Sequence, residues 1–312
     1  MAEYPQKKLH NRQKFQLYQH PWLSVPAVIA AFILSMIFTG SIIFGLLQLP
    51  EWPSWTEVVL GIAYYSLTTF VLIPYVLRLP KGKRTFGQYL GDIGLTYMKP
   101  LLPLIGLGVS CYLLLMLSQV AGTMIFRWVE GLPITWRFFK QVIDITGDLP
   151  PDSFSLLVAI PSIFEEMIFR GVLLTVFLGR YSWRKAILFS SLAFGLIHLL
   201  NAFMGRDLVW VLGQVIWSFV MGLFYGYVFV KTRSLLPSMI VHYLGNAFVG
   251  SISRYLQDRG SVEVQTLYGL LFLFGILPTS LMILWTHFYT LRWLSRPAGA
   301  ASPSATRSVK TG

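Results

Sequence analysis

Two adjacent carboxylates and an arginine interrupt an apolar run at Ser162-Ile163-Phe164-Glu165-Glu166-Met167-Ile168-Phe169-Arg170-Gly171. An ionisable side chain within hydrocarbon costs about 3 kcal/mol or more, so such residues face a bundle interior or a wet cavity and have partners. On an α-helix Glu166 and Arg170 share a face, with the acid N-terminal to the base, the better orientation for a pair. Glu165 lies about 100° round the helix and is left unpaired. The spacing assigns Glu166 a structural part, neutralised by Arg170, and leaves Glu165 free to take and give a proton.

Of the five histidines, His10 and His20 lie in the polar N-terminal stretch and His287 near the end of the last apolar run. The other two sit inside apolar runs, as Phe194-Gly195-Leu196-Ile197-His198 and His242-Tyr243-Leu244-Gly245-Asn246. Phe194 and His198 share a helical face, as do His242 and Asn246, and Asn201 lies one turn beyond His198. Measured from the inner ends of their runs, Glu165, His198 and Asn246 lie roughly 15–20 Å deep, with His242 a turn below Asn246. A carboxylate, two imidazoles and an amide at similar depth are the inventory for hydrolysing an amide: a base for water, a group to orient it, and donors for the oxyanion.

Each feature alone has a plainer reading. Glu166 with Arg170 can be a buried pair that fixes helix register, His198 a hydrogen-bonded core histidine, and His242 with Asn246 polar glue between membrane helices. Gly222, Gly226 and Gly245 read as close-packing positions. The joint pattern on three separate runs is what favours chemistry. Cys111, the one cysteine, lies in an apolar run with no histidine. That excludes an intramolecular disulfide framework and a cysteine zinc site, and argues against a thiol nucleophile.

The elements that must position these residues follow from composition. A chain of 312 residues that is 55% hydrophobic and 12% charged is a polytopic membrane protein, all-α. Spans of roughly 20 residues fall near 22–49, 54–77, 101–126, 153–178, 186–203, 208–230, 236–254 and 265–290. With both ends cytoplasmic, the inner segments carry eighteen basic residues and the outer ones six: Arg127, Arg137, Lys140, Arg206, Arg254 and Arg259. This positive-inside bias accounts for the net charge of +12 and removes the case for nucleic acid. Residues 1–20 read as a basic cytoplasmic tail rather than a cleaved signal peptide, 21–292 as one eight-helix membrane domain with its core at 150–250, and 293–312 as a disordered cytoplasmic tail. The loops at 78–99 and 127–152 mix aromatic and basic residues and read as interfacial anchors, with gates as the alternative.

Glu165-Glu166-x-x-x-Arg170, Phe194-x-x-x-His198 and His242-x-x-x-Asn246, in that order on separate spans, resemble the three motifs of the CAAX protease and bacteriocin-processing (CPBP) family. The flanking Arg170-Gly171 and Phe194-Gly195 pairs are similar too, and the resemblance covers roughly 150–250. It implies an eight-helix intramembrane protease, a type that includes endopeptidases removing the last three residues of prenylated proteins. It implies that Glu165 and His198 activate water, that His242 and Asn246 stabilise the oxyanion, and that Glu166 and Arg170 support the site. It leaves metal open: two imidazoles and a carboxylate (Glu165, His198, His242) suffice for zinc, yet there is no His-Glu-x-x-His pair, and the reading favours no bound metal. The expected partners are the bilayer and a membrane-embedded or lipid-modified protein, the expected location an integral multi-pass membrane site, the plasma membrane in a prokaryote. The alternatives are a non-catalytic membrane scaffold or bacteriocin-immunity-like regulator and, more weakly, a proton-coupled transporter.

Overall fold

The computed structural model describes residues 20–47, 54–76, 86–143, 156–203, 205–248 and 271–294. Both tails, the basic residues Arg78 to Arg84, the 144–152 part of the 127–152 loop and the continuation of the seventh span to 254 lie outside the described residues. The helices are α1 (Pro21–Leu47), α2 (Ser54–Ser66), α3 (Ile73–Val76), α4 (Phe86–Asp92), α5 (Leu101–Val129), α6 (Trp136–Ile143), α7 (Leu156–Glu166), α8 (Thr175–Leu178), α9 (Trp183–Ile197), α10 (Leu200–Phe203), α11 (Leu208–Thr232), α12 (Leu236–Phe248) and α13 (Leu277–Tyr289). Wider π-helical turns join α2 to α3 (Leu67–Leu72) and α7 to α8 (Met167–Leu174), and flank α13. The described residues contain no strand.

The protein is an all-α polytopic membrane bundle. Among the described residues, six helical runs are long and apolar enough to cross a bilayer: Pro21–Gly45, Trp55–Tyr75, Leu101–Val129, Trp183–Phe203, Leu208–Thr232 and Leu271–Leu294. Large apolar side chains such as Leu34, Phe38, Leu113 and Leu117 are exposed on their outer faces, as lipid contact requires. The fourth and seventh expected spans are not among the six. The first, unbroken from Leu156 to Leu178, carries Glu165, Glu166 and Arg170 at its centre; the second is described over 13 residues as α12.

Packing closes a ring. The α7 run touches α12, α12 touches α5, α5 and α11 both touch α13, and α9 lies between α11 and the π-helical turn after α7. Outside the ring, α2 is wedged between α1 and α7. One apolar cluster, around Leu173, Leu174 and Phe177, joins α1, α2, the α7 run and α9. A second, around Leu107, Phe224, Val241 and Met282, joins α5, α11, α12 and α13. The polar motif residues lie at the seam between them.

The segment 86–95, expected at the inner interface, is partly interior. Tyr89 and Ile93 are buried, and the Tyr89 hydroxyl donates to the Thr69 carbonyl at 2.7 Å. Its turn needs Gly94, whose φ is +80° and where a Cβ would fall 2.5 Å from the Phe229 ring.

Helices α9 and α11 pack closely. A Cβ at Gly195 would sit 2.8 Å from the Val215 carbonyl oxygen, and one at Gly222 would sit 2.9 Å from Ser191 Cβ. Gly226 is similarly tight against Ile187, whereas Gly245 meets nothing within 4 Å and is no packing site. Gly195→Ala is expected to lower the thermal midpoint of the purified protein by about 5 °C. Gly213→Ala, on the same helix pair with open space around it, should leave it unchanged; equal effects at the two positions would contradict this packing.

Candidate functional site

The α7 run is built to hold charge at its centre. Pro161 interrupts the backbone ladder of α7, and the Ser162 hydroxyl donates to the Val158 carbonyl at 2.9 Å. The helix then widens into the π-helical turn at Met167, directly after the two glutamates. Such turns recur at functional sites.

Glu166 and Arg170 are 0% and 1% exposed, and Arg170 Nη1 lies 3.0 Å from Glu166 Oε1. The contact is an ion pair without hydrogen-bond alignment: neither terminal nitrogen of Arg170 has a hydrogen-bond partner among the described residues. Aromatic faces take their place. The guanidinium lies 4.1 Å from the ring centroid of Phe194 on α9 and 5.0 Å from that of Tyr225 on α11, where ring quadrupoles stabilise a desolvated cation.

Glu166 also reaches across to α12. His242 Nδ1–H donates to Oε1 at 3.0 Å, because an arginine-paired carboxylate can only accept. The imidazole stacks on Tyr225 (5.2 Å, 17°) and meets Phe194 edge-on (5.9 Å, 78°). With one nitrogen fixed and two rings against it, His242 points Nε2 at Glu165, 3.7 Å from Oε2. That separation is too long for a direct hydrogen bond, but a water at its apex can contact both groups.

Glu165 is one-fifth exposed, unlike its neighbour. The periodicity of its own helix leaves it unpaired, but other helices supply contacts: besides His242, the Tyr65 hydroxyl of α2 donates to Oε1 at 3.4 Å. Asn246, one turn beyond His242, is exposed, and its Nδ2 donates to Ser162 Oγ at 3.0 Å.

The span expected at 186–203 is present as the run Trp183–Phe203, and His198 sits at a break in its helical ladder. The α-helix ends at Ile197, the chain tightens into turns at His198 and Leu199, and α10 follows. His198 Nδ1 lies 2.9 Å from the Phe194 carbonyl oxygen, to which it donates, and the ring lies edge-on to Phe194 at 5.2 Å. Phe194 thus touches both imidazoles and Arg170. No hydrogen bond or ion pair joins His198 to Glu165 among the described residues. Asn201, a turn on, donates to Gln214 at 2.7 Å.

Glu165, His198 and His242 do not fit a zinc ion as arranged. No three His, Cys, Asp or Glu side chains gather as ligands among the described residues; the bonded Nδ1 of each imidazole leaves Nε2 as the nitrogen it could offer.

Tyr65, Ser162 and Tyr225 escaped the sequence reading. Ser162 carried a weak signal, three residues before Glu165 on the same helix; the two tyrosines carried none, because their roles arise only from contacts between helices.

Residues 151–248 match the profile of a family described as type II CAAX prenyl endopeptidase Rce1-like. That segment is a CPBP-family domain. All the motif residues above lie in it, and the domain is of the intramembrane protease kind. Neither the curated proteins nor the solved structures give a match to the chain.

Glu166→Ala removes the partner of both Arg170 and His242 Nδ1, and is expected to destabilise the protein by about 3–5 kcal/mol. Glu166→Gln keeps an acceptor and should cost less. Thermal unfolding in detergent checks both, and an Ala variant as stable as the wild type would contradict the network.

Proposed function

We propose that this protein is an intramembrane endopeptidase that hydrolyses a peptide bond of a membrane-associated, lipid-modified protein through a water activated by Glu165. The observation that carries the reading is His242 set between the two glutamates, Nδ1 bonded to the buried one and Nε2 facing the accessible one.

In the proposed reaction Glu165 takes a proton from water as the water oxygen attacks the scissile carbonyl carbon. Asn246, with a second N–H beyond the one given to Ser162, and His242 Nε2, when it carries a proton, donate to the developing oxyanion. The intermediate collapses as the carbon–nitrogen bond breaks, and Glu165 returns its proton to the leaving amine. His198, whose Nδ1 is held by the Phe194 carbonyl, offers its Nε2 to orient the water. No covalent acyl-enzyme and no metal enters these steps.

The name of the matched family supports a prenylated C-terminal segment as the substrate class. The eight-span order, the cytoplasmic placement of both ends and a plasma-membrane location in a prokaryote belong to the same reading, supported by the basic residues of the inner segments.

The test compares new protein termini in membranes from cells expressing wild type or Glu165→Gln at equal abundance. Termini present with the wild type and lost with Glu165→Gln, which keeps shape and removes the base, are expected, with rates falling at least about a thousandfold. Identical sets of termini would overturn the protease reading in favour of a scaffold or immunity-like role.

A further inference from the structure

Tyr65, which contacts Glu165, lies outside the CPBP motifs and outside the matched segment. Tyr65 is in α2, at the last turn before the helix widens at Leu67, and is 6% exposed. Its ring stacks on Phe164 of α7 (5.3 Å, 16°), the residue immediately before Glu165, and packs against Phe32 of α1 (5.3 Å) and Tyr64 (4.6 Å). Three aromatic neighbours leave the ring little freedom. Its hydroxyl therefore has a fixed place, and that place is 3.4 Å from Glu165 Oε1.

A phenylalanine would fill the same stack without carrying a hydroxyl out of water, and a buried hydroxyl is costly unless it is bonded. The hydroxyl is thus the one part of Tyr65 that packing does not account for. The two oxygens of Glu165 are divided by it: Oε1 faces the phenol and Oε2 faces His242 Nε2. A glutamate has three rotatable bonds, and a base that must meet a water within about 3 Å gains from having its carboxylate plane fixed. At 3.4 Å the bond is long in the free enzyme, and bonds of this kind tighten when substrate closes the site.

We propose that Tyr65 is a positioning residue for the reaction, anchoring one oxygen of Glu165 so that the other is presented to water on the His242 side. The N-terminal helices then complete the proteolytic site instead of only flanking it. The proposal rests on the protease reading above and names a part of the site which that reading does not use.

The experiment uses the full-length protein in lipid nanodiscs. A terminus that depends on Glu165 supplies the cleaved segment, and a synthetic peptide of that segment is the probe for wild type, Tyr65→Phe and Glu165→Gln. Tyr65→Phe keeps the aromatic stack and removes only the hydroxyl. The expected result is a kcat about tenfold lower or more, with KM within about twofold and the thermal midpoint unchanged. A kcat equal to wild type, beside an inactive Glu165→Gln, overturns this inference and leaves the protease reading intact. A parallel change in kcat, KM and thermal midpoint also overturns it, because the hydroxyl is then structural. If no terminus depends on Glu165, the protease reading falls and this inference falls with it.

Discussion

A carboxylate and a guanidinium enclosed together at the centre of a membrane bundle must satisfy one another or the bundle does not form. Glu166 and Arg170 meet that demand across one turn of their own run, and the remaining demand is met by other helices. Phe194 comes from α9, Tyr225 from α11 and His242 from α12. Four elements are thereby fixed relative to one another by a single buried pair. The accessible neighbour, Glu165, inherits a defined position from a network of which it is not the centre.

The apolar parts of the fold serve this arrangement. Two clusters of buried side chains lie on either side of the polar seam, and the tight contact at Gly195 and Gly222 draws α9 onto α11. That closeness lets Phe194 and Tyr225 reach the same guanidinium. The turn at Gly94 places Ile93 against Gly171, where a Cβ would fall 2.8 Å from the Ile93 carbonyl oxygen, and so closes the inner side of the π-helical turn that carries Arg170. The packing contacts and the polar network share the α9 and α11 helices, so a change in the packing stripe is expected to reach the groups around Arg170.

Periodicity along one helix made the pairing of Glu166 with Arg170 and the shared face of His242 and Asn246 legible in the sequence. It also made the membrane bundle legible, since the long apolar runs need no partner to be recognised. What was hidden depends on relations between helices. Glu165 looks unpaired on its own wheel, yet Tyr65 and His242 approach it from α2 and α12. The face count of 100° per residue fails within the π-helical turn, and hydropathy gives no warning that α9 stops at Ile197 and leaves His198 on a turn. The run through Leu156–Leu178 was legible as a span at 153–178 even though its three charges, Glu165, Glu166 and Arg170, lower its hydropathy.

The whole site depends on Glu166 setting the orientation of His242. Nitrogen-15 NMR of histidine-labelled protein in bilayers, with His242 assigned by comparison with His242→Gln, reads which ring nitrogen carries a proton. A proton on Nδ1, and its signal displaced in Glu166→Gln, is the result predicted. A ring with Nδ1 bare and the proton on Nε2 alone would contradict the network from which the site is built.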